Sequence, residues 1–144
     1  MLILGSFPST ASLAAQQYYA HPQNQFWRIL GDVIGQPLKE IDYPQRIAAV
    51  QAAGIAIWDV FASCERAGSL DTAIRAAVPN PLAALRESAP ALRRICFNGR
   101  MAARRIREVE TLGFEALVLP STSPAHAGMS FAEKLARWRD ALRP

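Results

Sequence analysis

The sequence predicts a parallel α/β fold, and three observations carry that expectation. Four short apolar runs, at residues 2–5, 55–60, 94–97 and 114–119, read as buried strands. Stretches with helical spacing of apolar residues separate them. The first run and the last two lead into loops of small or turn-forming residues, as in Gly5-Ser6-Phe7-Pro8-Ser9 and Asn98-Gly99. Strands that alternate with helices pair in parallel, and the helices cover both faces of the sheet.

The elements follow in order. Leu2-Ile3-Leu4-Gly5 is the first strand, and residues 12–18 hold a short helical turn. Pro22 opens a helix whose Phe26, Trp27, Leu30, Val33 and Ile34 share one spacing, and Gly35 stops it. A polar linker with Pro37 and Pro44 precedes a second helix, which carries Ile47 and Val50 and ends at Gly54. Residues 55–60 form the second strand and 61–70 a loop. Asp71 is placed to cap a short helix through Ala77, and Asn80-Pro81 starts another that reaches Ser88. After the third strand comes an amphipathic helix, residues 100–112. Its Arg100, Arg104, Arg105 and Arg107 read as a solvated face shared with Glu108 and Glu110. The fourth strand leads into a loop of small residues, 120–128. Ser130 and Glu133 then form a capping-box pattern that opens a last helix through Trp138.

The 144 residues correspond to a single domain, 1–144. A chain of this size buries roughly 68–70% of its unfolded surface, enough for a full core. With 51% apolar residues the composition is that of a globular protein. No run approaches the roughly 18 apolar residues of a membrane span. No leader is expected before Leu2, so a cytoplasmic protein is expected, and it is expected to act as a monomer. Cys64 and Cys96 lack metal-like spacing, and two cysteines cannot hold an iron–sulfur cluster. No metal and no cofactor are expected. The net charge of +4 permits a polyanionic partner without requiring one.

Two stretches carry the chemistry. Gly5-Ser6-Phe7-Pro8-Ser9 is followed by Tyr18-Tyr19-Ala20-His21-Pro22-Gln23-Asn24-Gln25-Phe26-Trp27. Downstream stand Trp58-Asp59-Val60, Gly68-Ser69-Leu70-Asp71, Phe97-Asn98-Gly99 and Leu119-Pro120-Ser121-Thr122-Ser123-Pro124-Ala125. In this order they resemble the uracil-DNA glycosylase superfamily, most of all the branch that removes hypoxanthine from DNA containing deoxyinosine. The likeness covers nearly the whole chain. It implies a three-layer α/β/α sandwich with a central four-stranded parallel sheet. It also implies double-stranded DNA with a damaged base as partner, and through that DNA a nucleoid-associated location in a bacterial cytoplasm.

The resemblance assigns roles residue by residue. Such an enzyme turns the target nucleotide out of the duplex and stacks its base on an aromatic ring, here Tyr19. Ser6 and Phe7 would line the base pocket. In many relatives an Asn or Asp at the position of Phe7 holds the attacking water. A phenyl ring cannot, and in this branch the role passes to Asn24. A carboxamide orients water but is a poor base, so the reaction would lean on stabilising the departing base. Asn98 would read the base edge. Ser9 and the loop residues Ser121, Thr122, Ser123, Pro124 and His126 would contact DNA, His126 standing where the branch more often has Asn. Asp59 and Asp71 are alternative carboxylates for water activation, although a cap suits Asp71 and a backbone or Arg66 tie suits Asp59. His21 reads as structural.

The only lysines, Lys39 and Lys134, lie outside these motifs. A glycosylase that also cuts the strand commonly uses an amine, so simple hydrolysis is expected. The alternatives are a uracil or mismatch-specific uracil/thymine glycosylase, and a silent nucleic-acid-binding module. A serine hydrolase built on Ser6, Ser9 or Ser121 with His126 is disfavoured, because the chain lacks a G-x-S-x-G elbow.

Overall fold

The computed structural model describes residues 1–65 and 75–144. Its centre is a four-stranded sheet of order β2-β1-β5-β6, made of β1 (Leu2–Gly5), β2 (Ala56–Asp59), β5 (Arg94–Asn98) and β6 (Glu115–Leu119). All three pairings are parallel, with Gly5 opposite Asp59, Leu4 opposite Phe97 and Asn98 opposite Leu119. This is the predicted sheet.

Alternation along β1 explains why both faces are covered. Ile3, with Cys96 and Leu119, joins a core formed with α2 (Phe26–Ile34), α3 (Tyr43–Ala52) and α6 (Phe131–Ala141). Leu2 and Leu4, with Ile95 and Phe97, face a second core. Leu82, Ala102, Val109 and Phe114 fill it around α4 (Leu85–Ser88) and α5 (Ile106–Thr111). Period-two side chains on a doubly buried strand give a continuous apolar run, which is what Leu2-Ile3-Leu4 shows.

The connections differ from expectation in places. The helix that Pro22 was to open begins at Phe26, because residues before it form turns and the Asn24 side chain accepts the Phe26 N–H at 2.9 Å. The turn expected at 12–18 is α1 (Thr10–Ala15), started by Ser9, whose hydroxyl accepts from the Ser12 N–H. The helix expected over 100–112 is split into a 3₁₀ segment, Ala102–Arg105, and α5.

The loop expected at 61–70 and the helix expected from Asp71 to Ala77 need correction. Phe61–Glu65 is strand β3, and Arg75–Pro79 is strand β4, paired antiparallel with it. The alanines at 76 and 77 favour a helix locally, but ladder pairing with a segment more than ten residues away overrides that preference. Gly68-Ser69-Leu70-Asp71 lies outside the described residues, as does the proposed Asp71 cap.

Candidate active site

The C-terminal ends of β1, β2 and β5 deliver Gly5, Asp59 and Asn98 to one side of the sheet. From β1 the chain moves outward to β2 on one side and later to β5 on the other. That reversal places a crevice at the strand ends, the usual ligand position in an open α/β sheet. Here it is a cavity of about 360 Å³. Of the residues expected to form the site, Ser6, Phe7, Ser9, Tyr19, Asn24, Asn98, Ser121, Thr122, Ser123 and Pro124 all line it. His126 does not; it lines a neighbouring hollow.

The segment before α2 is held by a short polar chain. Ser9 Oγ donates to Ser12 Oγ, and Ser12 Oγ accepts the Ala20 N–H, both at 3.0 Å. The Trp27 indole N–H donates to the Tyr18 carbonyl. Between these ties Tyr19 adopts a left-handed backbone, φ 53°. Its ring lies on Phe26, centroids 3.8 Å apart and planes 16° from parallel. One face of the phenol ring is therefore backed by the core.

Gly5 makes room for this arrangement. A Cβ there would sit 2.8 Å from both the Tyr19 hydroxyl and Asp59 Oδ1. Tyr18, on the same wall, has its phenol pKa pushed up to about 12 by burial, by the Asp59 charge and by Tyr43. Asp59 is buried and is the one described carboxylate lining the cavity. His21 Nδ1 accepts the Gln23 N–H at 3.1 Å, so a neutral ring carries its proton on Nε2.

Both asparagines are tied down. Asn24 spends one oxygen lone pair on the Phe26 N–H. Asn98 Nδ2 donates to Thr122 Oγ1 at 2.9 Å, and its Oδ1 accepts the Thr122 N–H at 3.0 Å. A backbone N–H only donates, so the second bond fixes which end of the amide is oxygen. One hydrogen on Nδ2 and one lone pair on Oδ1 remain for a ligand. Thr122, expected among the DNA contacts, is wholly buried, with its side chain and backbone engaged by Asn98 and by the Gln25 N–H.

One residue of the site was not anticipated. Lys134 is 2% exposed, and its Nζ donates to Gln25 Oε1 and to the His126 carbonyl at 3.2 and 2.7 Å. Burial lowers its pKa. It joins α6 to the start of α2 and to the 121–128 loop, which is also anchored by the Trp138 indole N–H on the Pro120 carbonyl. The signal was present: Lys134 stands four residues before Trp138, on the helix face that is buried.

The chain resembles known proteins over nearly its whole length. The profile of the uracil DNA glycosylase superfamily matches residues 1–142. A protein of Methanosarcina acetivorans named hypoxanthine DNA glycosylase is 42% identical over 90% of this chain and 82% of its own. One of Methanosarcina barkeri with the same name is 36% identical over 99% and 90%. The solution NMR structure of a candidate uracil DNA glycosylase from Methanosarcina acetivorans superposes with a TM-score of 0.89. The two are 39% identical, and the match covers 99% of this chain and 88% of that one.

Proposed function

The chain belongs to the uracil DNA glycosylase superfamily and is a DNA glycosylase, and from that premise we propose that it excises hypoxanthine from deoxyinosine in double-stranded DNA by direct hydrolysis. The observation that carries this reading is the convergence of Tyr19, Asn24 and Asn98 on one cavity of about 360 Å³, large enough for a single base.

The everted base stacks on the exposed face of Tyr19, with Phe26 behind it. Asn98 offers its remaining Nδ2 hydrogen to the 6-keto oxygen. Thr122 prevents the amide from turning over. Adenine presents an amino group at this place and meets donor with donor. Uracil offers a keto oxygen likewise, so the purine preference rests on the likeness to the Methanosarcina proteins.

Asn24 holds the water that attacks C1′. The C1′–N9 bond breaks, its electron pair stays with the purine, and the bond to Asn98 strengthens as charge develops there. Asp59, the one described carboxylate that lines the cavity, takes the water proton. Phe7 supplies only an apolar wall. Ser9, Ser121, Ser123 and Pro124 border the mouth and meet the sugar–phosphate backbone. Lys134 is buried behind the loop and outside the cavity, which favours hydrolysis over lyase chemistry.

The test is base release from duplexes carrying one inosine or one uracil. Free hypoxanthine and an intact strand with an abasic site are expected. Equal or faster release of uracil would move the enzyme to a uracil specificity. DNA binding without release of any lesion base would leave a silent binding module.

A further inference from the structure

On the far side of the 121–128 loop lies a second hollow, about 580 Å³. Ser121, Ser123 and Ala125 line it as well as the base cavity, so the loop is a shared wall. Among the described residues, the charged ones that line this hollow are Arg100, Arg104 and Arg137, with no carboxylate. They come from three places: the turn after β5, the 3₁₀ segment and α6.

These arginines differ from their neighbours. Arg94, Arg105 and Arg143 are paired with Glu115, Glu108 and Asp140. Arg105 also donates to the carbonyls of Val60 and Asn80. Among the described residues no ion pair involves Arg100, Arg104 or Arg137, and all three are exposed. Glu133 is close enough for Arg137 to lower its pKa, but its carboxylate is engaged by Ser130. The arginine-rich stretch expected to be one solvated face is therefore divided. Arg105 serves the fold, while Arg100 and Arg104 meet Arg137 around an apolar floor that includes Val118, 49% exposed.

Like charges gathered around one hollow repel unless an anion lies between them. Guanidinium groups match phosphate oxygens in charge and in paired geometry. We infer that this groove is a phosphate track: it holds the backbone of the DNA strand next to the everted nucleotide, with the 121–128 loop standing between backbone and base. The inference rests on the reading of the first cavity as a base pocket. A base lodged there brings its own backbone to the loop, and the groove lies directly beyond.

The experiment measures binding of inosine-containing and undamaged duplexes over a range of salt, with release followed at saturating enzyme. Each phosphate contact contributes about 0.9 to the slope of log K against log salt. Arg100→Gln, Arg104→Gln and Arg137→Gln should each flatten the slope by about 0.9, and the triple variant by about 2.7. Both duplexes should be affected alike, and the saturated release rate should stay within about twofold of wild type. The three Lys variants, which keep the charge, should restore the slope. An unchanged slope in the triple variant, with an unaltered thermal melt, would overturn the track; so would a loss confined to the release rate. If the wild type releases no hypoxanthine, the substrate reading fails, while the slopes on undamaged duplex still decide the groove.

Discussion

Asn24 has two tasks for one amide. Its oxygen closes the turn that starts α2, and what remains faces the cavity. Asn24→Ala should lower single-turnover hypoxanthine release by roughly 10²–10³-fold, and loss of the turn hydrogen bond to the Phe26 N–H should cost about 1 kcal/mol in urea unfolding. Asn24→Asp keeps an acceptor for the Phe26 N–H, so it should unfold like wild type and still release base slowly. Gly5 makes a separate case. Gly5→Ala inserts a methyl group 2.8 Å from Asp59 Oδ1 and the Tyr19 hydroxyl. Release should fall at least about tenfold, the smaller of the losses that general acid–base or positioning groups contribute being larger still, while the far-UV spectrum is unchanged. A normal rate in this variant would mean that the Tyr19–Asp59 wall has no part in positioning the base. At this scale the sequence was informative about which residues meet, because Tyr19 and Asn24 share one short motif and Asn98 ends a strand beside it. It was silent on their second partners. The Asn98–Thr122 bonds join residues 24 positions apart, and no local pattern encodes that pairing.

Among the elements, α6 is the one whose beginning was fully legible. Ser130 and Glu133 form the expected capping box, and those hydrogen bonds hold the Glu133 carboxyl below its usual pKa. The stabilisation is therefore complete above the ordinary glutamate pKa and fades as pH falls through the lowered value. Ser130→Ala should melt earlier than wild type at neutral pH, and the gap between the two should narrow in acid. Lys134, on the same helix, carries a buried ammonium held by neutral oxygens. Lys134→Met should leave the melting temperature unchanged or higher, because a desolvated charge is removed. It should also speed amide exchange in the 121–128 loop and slow base release. The β3–β4 hairpin was the least legible element. Its Arg75-Ala76-Ala77 reads as helix in isolation, and only its partner strand shows otherwise.

For the whole molecule, the parallel sheet and its two covering layers followed from four apolar runs separated by helical spacing. The sheet contains them all, in the order β2-β1-β5-β6. Charge was harder to read. A net +4 says nothing of where cations gather, and the division of the arginines between fold and groove depends on α6 folding back beside β6. Cys96 reports on the intact fold. It is fully buried in β5, and burial pushes its thiol up to about 11. In a Cys64→Ser background, labelling by a thiol reagent at pH 8 should be slow in water and should rise with urea along the same curve as tryptophan fluorescence. Labelling well before the fluorescence transition would show that the sheet opens without global unfolding.

The pair of hydrogen bonds between Asn98 and Thr122 makes strand and loop answer to each other. A duplex that drags the loop outward must loosen the same amide to which we assign the telling of keto from amino. On that assignment, poorly seated DNA would blunt the sensor before any glycosidic bond is at risk, and discrimination would be sharpest only when the whole helix fits.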